Sequence, residues 1–159
     1  MQFRVKHRFD VIIEEVGFQE RLRRAGIKDE KTNRAIRESR PDRFSNTPAE
    51  LRSGRLGILA ISFDTRVTNK HVSEGLPGWS LQGLFADHLL VVAEKHPGVQ
   101  MQSWVVAPEA TFMDNPGSSN SRESVLCLGS PEDRDRVLAY QHTEVHVWPL
   151  ETIFLVVPK

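Results

Sequence analysis

Leu56-Gly57-Ile58-Leu59-Ala60-Ile61-Ser62-Phe63 is the stretch that decides the fold. Apart from Gly57 and Ser62 every residue is apolar, so both alternating sets of side chains need cover. That is the signature of a central strand packed on two sides. Eight residues are too few to cross a bilayer, which takes about 20 as a helix. The expected architecture is α/β or α+β. One domain spans residues 1–159, with a central sheet of about five strands, flanking helices and a helical N-terminal third.

Downstream of this strand, Asp64 sits just past its end, and Thr65–Gly78 reads as a long loop with Gly75, Pro77 and Gly78 as turn residues. Ser80 is placed to cap a helix whose stripe is Leu81, Leu84, Phe85, His88, Leu89 and Val92. Pro97-Gly98 ends it, and Val99–Ala107 follows as a strand. Asp114–Arg122 is a Ser-rich loop and Ser124–Leu128 a short strand. Ser130 starts a helix running to about Tyr140. Thr143–Trp148 and Ile153–Val157 pair as a closing hairpin.

Upstream, Thr47-Pro48-Ala49-Glu50 is a capping box ahead of a short helix that stops at Gly54. Lys28–Ser39 reads as a largely exposed helix ended by Pro41. The opening is ambiguous. Phe3, Val5, His7, Phe9, Val11 and Ile13 alternate as in a strand, while Phe9, Ile12, Ile13 and Val16 fit a helix. The expectation is a strand over Phe3–His7 and then a helix over about Asp10–Ala25, closed by Gly26.

The chain is neutral as a whole, but its charge is uneven. Residues 1–55 hold 14 Lys/Arg against 9 Asp/Glu, and residues 56–159 hold 7 against 12. Arginine, the better planar donor to phosphate, dominates the basic part. Arg21, Arg24, Arg34, Arg37 and Arg40 are the candidate nucleic-acid contacts. An acidic protein partner would suit the same charge, and so would pairing with the acidic part of the same fold. Cys127, the one cysteine, excludes an internal disulfide and a multi-cysteine zinc site. With no apolar membrane span and no signal-peptide pattern, the expected setting is the cytoplasm.

If the sheet follows the open α/β rule, a site lies at the carboxyl end of the Leu56–Phe63 strand. Asp64 and Arg66 are delivered there; His88 reads by default as a core histidine with one hydrogen bond, and as the alternative looks into a cleft beside Asp64. His142, Glu144 and His146 share a face if they lie on a strand. The two histidines would then be about 14 Å apart, too far for one metal ion, so no metal or other cofactor is assigned. Cys127 has apolar neighbours and reads as a buried structural thiol. Trp79, Trp104, Trp148, Phe112 and Met113 offer stacking surface but are expected to pack in the core. Neither a phosphate-binding Gly-rich loop nor a G-x-S-x-G elbow is present.

From the N-terminal strand to Asp64, the chain resembles the later half of restriction-endonuclease-like nuclease domains. The likeness rests on the hydrophobic strand Gly57–Phe63 with Asp64, and on basic helical sequence before it. In that family an E-x-K strand and an upstream Asp hold Mg²⁺ and orient the attacking water. Here Lys6 of Arg4-Val5-Lys6 matches the lysine, while Arg4 stands where the acid belongs. Pro41-Asp42 with Asp64-Thr65-Arg66 repeats the motif order, with arginine for lysine. The resemblance therefore implies a degenerate member without an intact catalytic motif.

Three functions follow as expectations. The first is a nucleic-acid-associated domain that contacts DNA or RNA phosphates. The others are a small-ligand protein or enzyme with a pocket near Asp64, and an interaction module docking through its basic N-terminal third.

Overall fold

The computed structural model describes residues 1–28, 46–99, 102–114, 117, 119–129 and 137–159. Seven strands form one sheet: β1 (Phe3–Ile13), β2 (Gly54–Phe63), β3 (Leu81–Gly83), β4 (Val105–Asp114), β5 (Arg122–Gly129), β6 (Val137–His142) and β7 (Ile153–Pro158). Their order is β1-β2-β7-β4-β5-β6. Only β4 and β7 run parallel; the other pairs are antiparallel. Val156 pairs with Leu59 of β2 and with Gly83 of β3, so β3 lies on the side of β7 opposite β2, in the lane of β4. The helices are α1 (Phe18–Arg24), α2 (Asn69–Gly75) and α3 (Ala86–Lys95).

The expected helical N-terminal third is corrected by β1, which runs for 11 residues where a helix from Asp10 was expected. Phe9, Val11 and Ile13 are buried and Asp10 and Ile12 exposed, so the period-2 pattern wins. Only Phe18–Arg24 is helical in that stretch. The expected helix over Lys28–Ser39 lies outside the described residues. The expected sheet of about five strands is likewise corrected to seven.

A bulge in β1 explains how one alternating strand serves two cores. Val5 pairs with Ile61 and His7 with Ala60, leaving Lys6 as the extra residue. Phe3 and Val5 therefore share a face with Phe63 and Ile61, and Phe3 packs edge-on against Trp79 at 5.2 Å. Beyond the bulge Phe9, Val11 and Ile13 join the opposite core with Ile58, Leu89 and Leu126, under α1 and α3. The second core gathers Ile61, Phe63, Val72, Leu76, Trp148 and Phe154 beneath α2 and the turn Leu76–Trp79. β2 is hydrogen-bonded on both edges, and Ile58 and Ala60–Phe63 are buried.

Other expectations are also corrected. The stretch Thr65–Gly78 contains α2, capped by the Thr68 hydroxyl, which accepts the His71 N–H at 3.2 Å. The Thr47 box yields only one 3₁₀ turn, Ala49–Leu51, because the Thr47 hydroxyl donates to Asp87 at 2.9 Å instead of capping. Val99–Ala107 is replaced by a strand starting at Val105, and β5 begins at Arg122, inside the expected loop. Val137–Tyr140 lies on β6 rather than a helix, paired with Leu126–Gly129. Thr143–Trp148 is a turn with one bridge from Trp148 to Val67, and β7 pairs with β2, β3 and β4, so there is no closing hairpin. Among the described residues no helix is long and apolar enough to cross a membrane.

Candidate functional site

The structure places Asp64 and His88 in different surroundings. Asp64, at the end of β2, accepts the Gln2 N–H at 2.9 Å and donates its own N–H to the Gln2 carbonyl at 3.0 Å. Arg66 follows it, exposed. His88 is fully buried in the first turn of α3. Its Nδ1 accepts the Phe85 N–H at 3.1 Å, which puts the ring proton on Nε2, and Nε2 donates to the Leu51 carbonyl at 2.8 Å. Burial pushes its pKa below the usual histidine value and keeps the ring neutral. Both ring nitrogens are therefore engaged with α3 and the 3₁₀ turn. The carboxyl-end rule that joined these residues presupposes parallel neighbours, and β2 is antiparallel to both of its own.

Of the candidate phosphate contacts, Arg21 is buried and Arg24 lies in a surface ion-pair cluster. Arg21 is 5% exposed, with Nε on Asp87 at 2.8 Å and its guanidinium also donating to the Glu14 carbonyl. Asp87 takes the Thr47 hydroxyl as well, so α1, the end of β1 and the 47–51 turn meet at the start of α3. Arg24 pairs with Glu14 at 2.9 Å and Glu20 at 3.0 Å, and Arg23 pairs with Glu20 at 2.6 Å. Hydrogen bonds from Arg23 and then Arg24 lower the Glu20 pKa to about 2. Arg34, Arg37 and Arg40 lie outside the described residues.

Other cations stand on β1, one of the two outer strands of the sheet among the described residues. Arg4, Lys6 and Arg8 are all exposed. Lys6 reaches Glu151 at 3.8 Å, while Arg4 and Arg8 meet no carboxylate among the described residues. Because of the bulge, Arg4 lies opposite Ser62 and His7 opposite Ala60, alternate positions of β2, so both project on the helix-covered face. There the Phe9 ring is covered by His96 at 4.3 Å, with 28° between the planes. His7 lies nearly parallel to Phe9, at 5.7 Å and 13°, and is exposed. Burial, and then the neighbouring His7, lower the His96 pKa.

The remaining sequence candidates pack or bond locally. Cys127 is buried, and desolvation pushes its thiol pKa up to about 12, far from a reactive thiolate. His142 follows the β6 ladder, with Nδ1 3.3 Å from the Ser124 hydroxyl, and His146 folds back to donate its N–H to the His142 carbonyl at 3.2 Å. The expected flat polar strand is thus a turn. Among the described residues no three His, Cys, Asp or Glu side chains gather to hold a metal. Trp148 and Phe112 are buried, Trp79 packs against Phe63, and Met113 is exposed. An open groove of about 460 Å³ runs past Met113, Arg122, Glu123, His142 and Val145. Thr143 also lines it, and its hydroxyl donates to the Glu123 carboxylate at 3.1 Å.

No protein-family model, curated protein or solved structure matches the chain.

Proposed function

We propose that this chain is a binding module for nucleic acid that meets phosphates through the exposed half of β1. The observation that carries the proposal is the contrast in partners. Arg4 and Arg8, exposed on opposite faces of an outer strand, meet no carboxylate among the described residues, whereas Arg21 and Arg24 are held by Asp87, Glu14 and Glu20. Lys6 stands between them and among the described residues reaches one exposed glutamate, Glu151, at 3.8 Å. Guanidinium groups presented in this way suit phosphate oxygens, which fix position without reading sequence. Arg34, Arg37 and Arg40 belong to the proposal on their charge alone.

The test is binding to short oligonucleotides of several sequences, followed by fluorescence anisotropy across salt concentrations. Affinity is expected to fall linearly on a log–log plot against salt. Replacing Arg4, Lys6 and Arg8 together by alanine should weaken binding to all sequences alike, and Arg34, Arg37 and Arg40 replaced together should do the same. Wild-type protein that binds no oligonucleotide at low salt overturns the proposal.

A second reading has one observation in its favour. Among the described residues β1 pairs only with β2, so its other edge presents unpaired backbone groups. An acidic extended peptide could add there as a further strand, with Arg4, Lys6 and Arg8 beside its carboxylates. Competition by such a peptide, in the absence of any oligonucleotide binding, would favour this second reading.

A further inference from the structure

Resting on the nucleic-acid reading above, we propose that Arg4 and His7 form a subsite for one nucleotide unit, with the base stacked on His7 and a phosphate on Arg4. The bulge at Lys6 creates the pairing. Without it, residues three apart on a strand would project to opposite faces. With it, Arg4 and His7 share a face, opposite Ser62 and Ala60. Alternate positions of a strand lie about 7 Å apart, a reach that a long arginine side chain spans.

The ring row explains why a base belongs there. His7 and Phe9 lie nearly parallel, with 13° between their planes. His96, from the end of α3, stacks over Phe9 at 4.3 Å and leaves Phe9 7% exposed. No other ring of the described residues stacks on His7, which is exposed. The protein therefore caps one ring of the row with its own imidazole and leaves its neighbour open. A planar base on His7 would repeat the contact that His96 makes on Phe9, and such stacking tolerates any base. In a duplex the base faces are already stacked on one another, so the subsite favours a single strand or a free nucleotide over a duplex.

Four proteins decide the matter: wild type, His7→Ala, His7→Phe and Arg4→Ala, each checked for an unchanged circular dichroism spectrum and melting temperature. Each is titrated with a single-stranded 12-mer, the matching duplex and a mononucleotide. His7→Ala is expected to weaken single-strand binding about tenfold, with the salt slope unchanged, because stacking releases no counterions. His7→Phe should restore binding, since a phenyl ring offers the same face. Arg4→Ala should weaken binding and flatten the salt slope by about 0.7. A mononucleotide that competes as well as the 12-mer would identify a free nucleotide as the ligand; competition by the oligonucleotide alone would identify a strand. Wild-type binding that His7→Ala leaves untouched, or a preference for duplex, overturns the subsite while the phosphate-binding reading stands. Absence of all binding overturns both.

Discussion

In α1 the arginines close onto carboxylates: Arg21 on Asp87, Arg23 on Glu20 and Arg24 on Glu14 and Glu20, all within 3.0 Å. In β1, which precedes it in the chain, Arg4 and Arg8 are exposed on opposite faces of the strand and meet none among the described residues. Both segments belong to the same basic part of the chain, and composition treats them alike. The difference comes from position in the fold. α1 packs over the core beside the acidic first turn of α3, where Asp87 offers an acceptor. In β1 the exposed residues Arg4–Arg8 precede Phe9, Val11 and Ile13, which join the core under α1 and α3, and among the described residues this strand pairs only with β2. A surplus of positive charge in sequence is therefore no measure of charge available to a partner.

The comparison breaks most visibly at Arg21. Arg21→Ala would leave Asp87 without its ion-pair partner and free the Glu14 carbonyl. Removing one partner of a buried pair costs about 3–5 kcal/mol. Because Asp87 is only partly buried, the expected loss is near 3 kcal/mol, read from urea denaturation. Arg4→Ala and Arg8→Ala should stay within about 0.5 kcal/mol of wild type in the same assay. Equal losses at Arg21 and Arg4 would erase the distinction.

A smaller effect sharpens the account of the interior side. His88 is neutral when folded because burial lowers its pKa, while the unfolded chain binds a proton near its ordinary value. The unfolded state therefore takes up more protons as the medium is acidified. The contribution of His88 is fully present above about pH 6.5 and is lost as pH falls below it, by up to about 1.4 kcal/mol per pH unit. His88→Gln, which keeps a donor and an acceptor but cannot titrate, should be less stable at pH 7 and show a shallower decline between pH 7 and 5. An unchanged slope would mean that His88 takes up no net proton on unfolding.

Some of this was legible in the sequence. The apolar-rich run Leu56–Phe63 of β2 marks a strand covered on both faces, and the apolar neighbours of Cys127 mark a buried thiol. The core reading of His88 also holds, with two hydrogen bonds in place of the expected one. β1 is longer than the sequence pattern suggests because Phe9, Ile12, Ile13 and Val16 fit the helical spacing while Phe9, Val11 and Ile13 fit the strand spacing, and only pairing with Ile58 and Leu56 decides between them. The closing hairpin failed because the partners of Ile153–Pro158 lie far back in the chain, on β2, β3 and β4. Thr143–Trp148 has the composition of a strand but turns back through the His146 to His142 bond. The pairing of Arg4 with His7 was invisible for a single reason. Period 2 separates them, and a bulge of one residue at Lys6 leaves no mark in composition.

The central claim is that the charge of β1, and not that of α1, is available to a polyanion. It is tested most directly by the salt dependence of single-strand binding for two double variants, Arg4→Ala/Arg8→Ala and Arg23→Ala/Arg24→Ala. The β1 variant should flatten the slope of log affinity against log salt by about 0.7 for each lost phosphate contact, while the α1 variant should keep the wild-type slope. A flattened slope in the α1 variant, with the β1 variant unchanged, would contradict the account.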